Sequence, residues 1–170
     1  YSNPVARLLK NIKTPIRALV GPWGHQYMHQ VVPGPKAGFM DLAMRWWDHW
    51  LKETETGIMN EPKYRTWVQD SVKPSSCFEE RSGYWAGEES WPSDNTINKT
   101  MYLKDRSLLP EGGGDSIRIV NSPQTVGRCT PFFGNMGAGD PQDPLDQRLD
   151  DAMSVCFDSD PLDKKISILG

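Results

Sequence analysis

The stretch Ile16-Arg17-Ala18-Leu19-Val20-Gly21-Pro22-Trp23-Gly24-His25 decides how this chain reads. Its first half is a short run of Ile, Ala, Leu and Val without strict alternation. That pattern suits a strand buried on both faces, as in a parallel sheet. Gly21, Pro22 and Gly24 then end the strand and suit a sharp, shaped turn. His25 is thereby placed on a loop at the carboxyl end of a buried strand. Imidazole titrates near neutral pH, so a histidine there can take a proton from a hydroxyl nucleophile and return it to a leaving group. A histidine after a strand is also a common structural residue. His25 is the catalytic candidate, and Trp23 beside it either shapes the turn or walls a substrate pocket. No Asp or Glu lies between Tyr1 and Gly24, and Ser2 is the one serine there. The histidine stands without the nucleophile and acid that its chemistry needs.

The bulk composition bounds the rest. With 170 residues, 37% of them hydrophobic and 24% charged, the chain can build one ordinary domain or two small pieces. No apolar run approaches the roughly 18 residues of a membrane span, and the proline-broken start does not read as a signal peptide. A net charge of −3 gives no general attraction to nucleic acid or to an anionic membrane. Arg7, Lys10, Lys13 and Arg17 precede the histidine, while Asp140, Asp143, Asp146, Asp150 and Asp151 crowd a late segment. Both sets read as solvated surface. Cys77, Cys129 and Cys156 contain no CxxC pair, which argues against a structural zinc site and a disulfide framework. Free thiols lean toward a soluble protein of a reducing compartment such as the cytoplasm.

Outward from the turn, the chain divides near residues 57–61. A helix is predicted over Ala37 to Lys52, with Phe39, Leu42, Ala43, Trp46, Trp47 and Trp50 at helical spacing. Asp41, Arg45, Asp48 and Lys52 fall opposite. The aromatic stripe reads as core packed against a sheet. From about Asn60 the pattern changes to short strands: Pro62–Val68, with Tyr64 and Thr66 on one side and Arg65 and Trp67 on the other, then Thr100–Leu103, Ile117–Val120, Met153–Phe157 and Ile166–Leu169. Gly112-Gly113-Gly114 and the stretch Asn135–Pro144 connect them. Short strands with such turns point to an antiparallel sandwich or barrel-like domain.

Other motifs carry less. His25 and His29 are four apart, yet prolines flank them and no carboxylate or cysteine completes a metal set. His49 flanks the helical stripe as a boundary residue. Gly114-Asp115-Ser116-Ile117-Arg118 lacks the last glycine of a G-x-S-x-G elbow, and follows the histidine where hydrolase order demands that it precede. Gly112–Gly114 lacks the Lys-Ser/Thr of a phosphate loop. The late aspartates do not have EF-hand spacing.

Several segments, in order, resemble one family of serine hydrolases, which includes cocaine esterase, α-amino-acid ester hydrolase and the X-Pro dipeptidyl-peptidases. Ile16–Val20 with Gly21-Pro22-Trp23-Gly24-His25 is similar to the strand and G-P-W-x-H turn that carries the catalytic histidine. Trp46-Trp47-Asp48-His49-Trp50-Leu51-Lys52 resembles the helix that follows. Glu61-Pro62-Lys63-Tyr64-Arg65 resembles the entry to the family's C-terminal β domain. Tyr84-Trp85 with Glu89-Ser90-Trp91-Pro92, and Asp158-Ser159-Asp160-Pro161-Leu162, resemble later motifs. The resemblance implies a mixed α and β chain. Residues 1–58 would be the C-terminal strand and helix of an α/β-hydrolase domain. Residues 59–170 would be the first part of an antiparallel jelly-roll-like β-sandwich domain.

The same resemblance implies that the acid Asp lies just upstream of Tyr1, and the nucleophilic Ser and oxyanion-hole tyrosine further upstream. Further strands are expected beyond Gly170. The expected activity of the complete protein is cleavage of an ester or amide bond, including an X-Pro dipeptide bond, through a Ser-Asp-His triad. His25 is the triad member present here, so the chain alone is expected to be inactive. No metal or organic cofactor is implied. The expected partner is a small ester, amide or peptide substrate, with no nucleic acid and no membrane; an oligomer is left open. The rival reading is a non-catalytic β-sandwich binding module, with Trp67, Tyr84, Trp85 and Trp91 as contact residues, though these four also read as core of the sandwich; a third is a purely structural or oligomerisation segment.

Overall fold

The computed structural model describes residues 2–24, 26–73, 75, 77–112, 114–115, 117–128 and 146–169. A first helix, α1 (Ser2–Asn11), leads into β1 (Ala18–Val20), and a long loop then reaches α2 (Phe39–Lys52). A 3-10 turn at Ile58–Asn60 precedes β2 (Tyr64–Gln69) and β3 (Gly83–Glu88). β4 (Tyr102–Lys104) and β5 (Ser107–Leu109) form a hairpin, and α3 (Arg148–Asp151) is a single turn. The chain is mixed α and β, with small sheets.

The main sheet has the order β1-β2-β3. β1 runs parallel to β2, with Ala18 opposite Tyr64 and Val20 opposite Thr66. β2 and β3 are antiparallel over six residue pairs, from Tyr64 opposite Glu88 to Gln69 opposite Gly83. The alternation expected of β2 is present: Tyr64 and Thr66 are buried, while Arg65 and Trp67 are half-buried on the other face. The expected burial of β1 on both faces is not reached. Its residues are half-buried, because β1 is an edge with β2 as its sheet neighbour. β1 and β2 lie on either side of the composition shift near residues 57–61 and still share one ladder.

Polar ties fix the helices to this sheet. Lys63 Nζ, just before β2, donates to the Leu9 carbonyl at 3.1 Å and so caps α1. Arg17 is half-buried and donates to the Met59 carbonyl, so it is a structural tie and not part of a solvated basic face. In α2, Asp41 sits in the first turn and His49 and Lys52 in the last, which complements the helix dipole. Lys52 pairs with Asp48 one turn earlier at 2.7 Å.

The α2 stripe corrects an expectation. Arg45, on the predicted polar side, anchors the helix: it pairs with Glu61 at 2.6 Å and donates to the Thr56 carbonyl at 3.3 Å. Glu61 in turn pairs with Arg65 of β2 at 2.8 Å. No α2 residue is fully buried. Trp47 is 54% exposed, and Met40, Met44, Trp50 and Leu51 are exposed with it. Arg45 docks from the polar side, the stripe residues Phe39, Leu42, Ala43 and Trp46 are half-buried, and Trp47 and Trp50 face outward.

Beyond β3, Glu88 is buried and accepts from the Ser93 hydroxyl and from Asn95 Nδ2 at 2.9 Å. Tyr64 and Trp91 pack edge to face at 5.1 Å. β4 begins two residues later than expected and pairs with β5 through Tyr102–Leu109 and Lys104–Ser107. The expected strands Ile117–Val120, Met153–Phe157 and Ile166–Leu169 are not strands. They make no ladder among the described residues; a single bridge joins Ser107 to Asp158.

Candidate active site

The chain leaves β1 at Val20, beside Thr66 of β2, and turns at once. This is the carboxyl end of a parallel strand, the usual place for functional loops in α/β sheets. Two features shape the turn. Trp23 Nε1 donates to the Pro35 carbonyl at 2.7 Å, which pins the indole across the mouth of the loop. The same indole lies against Gly21, where a Cβ would collide with the ring. Glycine is required at that position by space, not by dihedral angle. Trp23 is half-buried. His25 lies outside the described residues. Gln26 N donates to the Gly24 carbonyl at 2.8 Å.

The segment after the turn folds back onto α2. Tyr27 and Phe39 pack at 5.1 Å, and the His29 ring stacks on Phe39 at 6.2 Å. His29 Nδ1 is buried with no hydrogen-bond partner. The loop is then stapled to the β2–β3 connection: Gly34 N donates to the Glu79 carbonyl at 2.7 Å, and Arg81 N donates to the Gly34 carbonyl at 3.0 Å.

On the sheet side, three tryptophans stand in a row. Trp67 and Trp85 face each other across the β2–β3 ladder, with ring centroids 5.3 Å apart and nearly perpendicular planes. Trp85 meets Trp23 at 6.1 Å and 50°. These tilted and edge-on geometries are the preferred ones for aromatic pairs. Trp67 Nε1 donates to the Arg81 carbonyl at 3.0 Å. The sequence shows no signal for the Trp23–Trp85 contact, because the two lie on opposite sides of the composition shift.

The remaining candidates separate cleanly. Trp91 is half-buried and packs edge-on against the buried Tyr64. Tyr84 is exposed, with its hydroxyl 3.0 Å from Ser167 Oγ. A cavity of about 490 Å³ opens beside Trp67, lined also by Pro35, Asp70, Val72, Phe78 and Arg81. His49 lies at 3.3 Å from the Thr54 carbonyl and edge-on to Trp50, which is a helix-end role. Among the described residues no group of three or more His, Cys, Asp or Glu side chains is placed to hold a metal. Cys77 and Cys156 form no disulfide. Ser116, Cys129, Asp140 and Asp143 lie outside the described residues. Of the other late acids, Asp146 is held by Arg148 at 2.9 Å, and this hydrogen bond lowers its carboxyl below the ordinary aspartate value. Among the described residues no helix is long and apolar enough to cross a membrane.

No solved structure matches the chain. Two proteins, from Mycobacterium bovis and Mycobacterium tuberculosis, each named a putative serine esterase, are 24% identical to it over 180 residues. The match covers 100% of this chain and 27% of each relative, so the chain spans about a quarter of their length. Residues 56–170 match the family described as X-Pro dipeptidyl-peptidase C-terminal non-catalytic domain, and the chain belongs to that family.

Proposed function

We propose that this chain is the histidine-bearing end of a serine hydrolase. On this reading residues 1–58 close an α/β-hydrolase domain, and residues 59–170 begin a jelly-roll-like β domain. The observation that carries it is the turn: a Gly-Pro-Trp-Gly segment at the carboxyl end of a parallel strand, leading to His25, in a chain of a hydrolase family. The exposed Met40, Met44, Trp47 and Leu51 stripe of α2 supports it as well. Apolar faces of this kind are normally covered, and the rest of a hydrolase domain is the natural cover.

The chemistry follows from the triad roles. A serine outside this chain attacks the carbonyl carbon of an ester or amide. His25 takes the serine proton as the bond forms, then gives it to the leaving alkoxide or amine. An Asp outside this chain orients the imidazole and stabilises its charged form. Hydrogen-bond donors hold the oxyanion, each worth about 3 kcal/mol in related enzymes. No metal or organic cofactor enters the scheme. The substrate is a small ester, amide or peptide, an X-Pro dipeptide included; neither nucleic acid nor membrane is a partner. Thiols without a disulfide suit a reducing compartment.

The cavity beside Trp67 and the exposed Tyr84 favour one second reading, a binding module for small ligands. A fluorophosphonate probe separates the two. The complete protein should label stoichiometrically and the 170-residue chain should not. Stoichiometric labelling of the chain alone contradicts the triad assignment, and an unlabelled complete protein favours the binding module.

A further inference from the structure

We propose that Trp85 is a positioning residue for the Gly21–Gly24 turn that leads to His25, so that the domain described as non-catalytic sets the geometry of the segment before the hydrolase's histidine. The proposal rests on the reading of His25 as general base.

Trp23 is held from three directions. Its ring lies on Gly21, its Nε1 is bonded to the Pro35 carbonyl at 2.7 Å, and its ring centroid lies 6.1 Å from that of Trp85 with the planes tilted by 50°. The first hold is internal to the turn. The second is fixed from β3's side, because Gly34, next to the acceptor, is bonded on both sides to Glu79 and Arg81. The third is a direct contact from β3. One of the three restraints on Trp23 therefore comes directly from residues 79–85, within the family's C-terminal region, and a second reaches it from there through Gly34, the neighbour of Pro35.

Trp85 is itself rigid on its inner side. Trp67 packs against it at 5.3 Å, and the Trp67 indole is bonded to the Arg81 carbonyl at 3.0 Å. Yet Trp85 remains 40% exposed, so its ring is not needed to fill a core. An aromatic ring that is half in solvent, on a rigid support, and aimed at the side chain two residues before His25 acts as a stop for the turn. Removing the stop frees Trp23 to swing while its local bonds persist. A general base misplaced by about 1 Å loses up to a hundredfold in rate without losing substrate binding.

The test uses the complete hydrolase and an activated ester. Trp85→Ala should lower kcat ten- to a hundredfold per folded molecule, with KM unchanged within about twofold. Trp85→Phe keeps an aromatic edge against Trp23 and should restore kcat to within about threefold of wild type. Trp85→Leu keeps apolar bulk without the aromatic edge and should behave like Trp85→Ala, which covers the case in which the alanine variant folds poorly. Wild-type kcat in a folded Trp85→Ala or Trp85→Leu enzyme, beside an inactive His25→Ala control, overturns the positioning role alone. A fully active His25→Ala control overturns the functional reading beneath it.

Discussion

The β1-β2-β3 sheet and the segment beyond Asn98 have similar sequence texture and different fates. Both contain short runs of alternating apolar residues, and both are rich in glycine. In the sheet, six residue pairs join β2 to β3, and tryptophans, backbone bonds and ion pairs interlock around them. Beyond Asn98, three pairs join β4 to β5, and Ile117 and Ile119 stand 94% and 89% exposed. Alternation makes a residue run competent to be a strand. A neighbour with complementary groups makes it one.

The contrast can be broken most sharply at Gly83. A Cβ there would collide with the Val68 carbonyl oxygen and come within 2.8 Å of Trp67 Nε1. Gly83→Val should separate β2 from β3 and cost about 3 kcal/mol or more, read from the urea midpoint; a loss under about 0.5 kcal/mol would show that the close approach is not required. Next in size is Ser93→Ala. It removes a donor from the buried Glu88 carboxylate and should cost about 1–3 kcal/mol, with Asn95 left as partner. At the other extreme, Ile119→Ser should change stability by no more than about 0.5 kcal/mol, because the side chain is already in solvent. A Ile119→Ser penalty equal to that of Ser93→Ala would erase the distinction between the two regions.

These regions also explain what the sequence made legible. The helix expected over Ala37–Lys52 and the strand expected over Pro62–Val68 follow from local periodicity, and the structure has them at Phe39–Lys52 and Tyr64–Gln69. The direction in which α2 docks does not follow from periodicity, since Arg45 is held by Glu61 and Thr56, partners from beyond the helix. β3 is absent from the sequence-based strand list because Gly83 and Gly87 interrupt its apolar pattern. Gly83 is there so that the backbones can approach, a reason visible only once Val68 and Trp67 are opposite. The strands expected at Ile117–Val120 and Ile166–Leu169 fail for the converse reason, a good local pattern with no partner ladder among the described residues. At the candidate site, the glycine and tryptophan of the turn were legible as shape, and Trp23 lies against Gly21 and is bonded to the Pro35 carbonyl. Its contact with Trp85 was not legible, because tertiary aromatic pairs leave no local signature.

The central claim is that His25 is the general base of a serine hydrolase. Its most direct test is the kcat of His25→Ala in the complete protein with an activated ester, beside a circular dichroism check of the fold. The account predicts a loss of roughly 10⁴-fold or more with the fold retained. A folded variant with near wild-type turnover would contradict it.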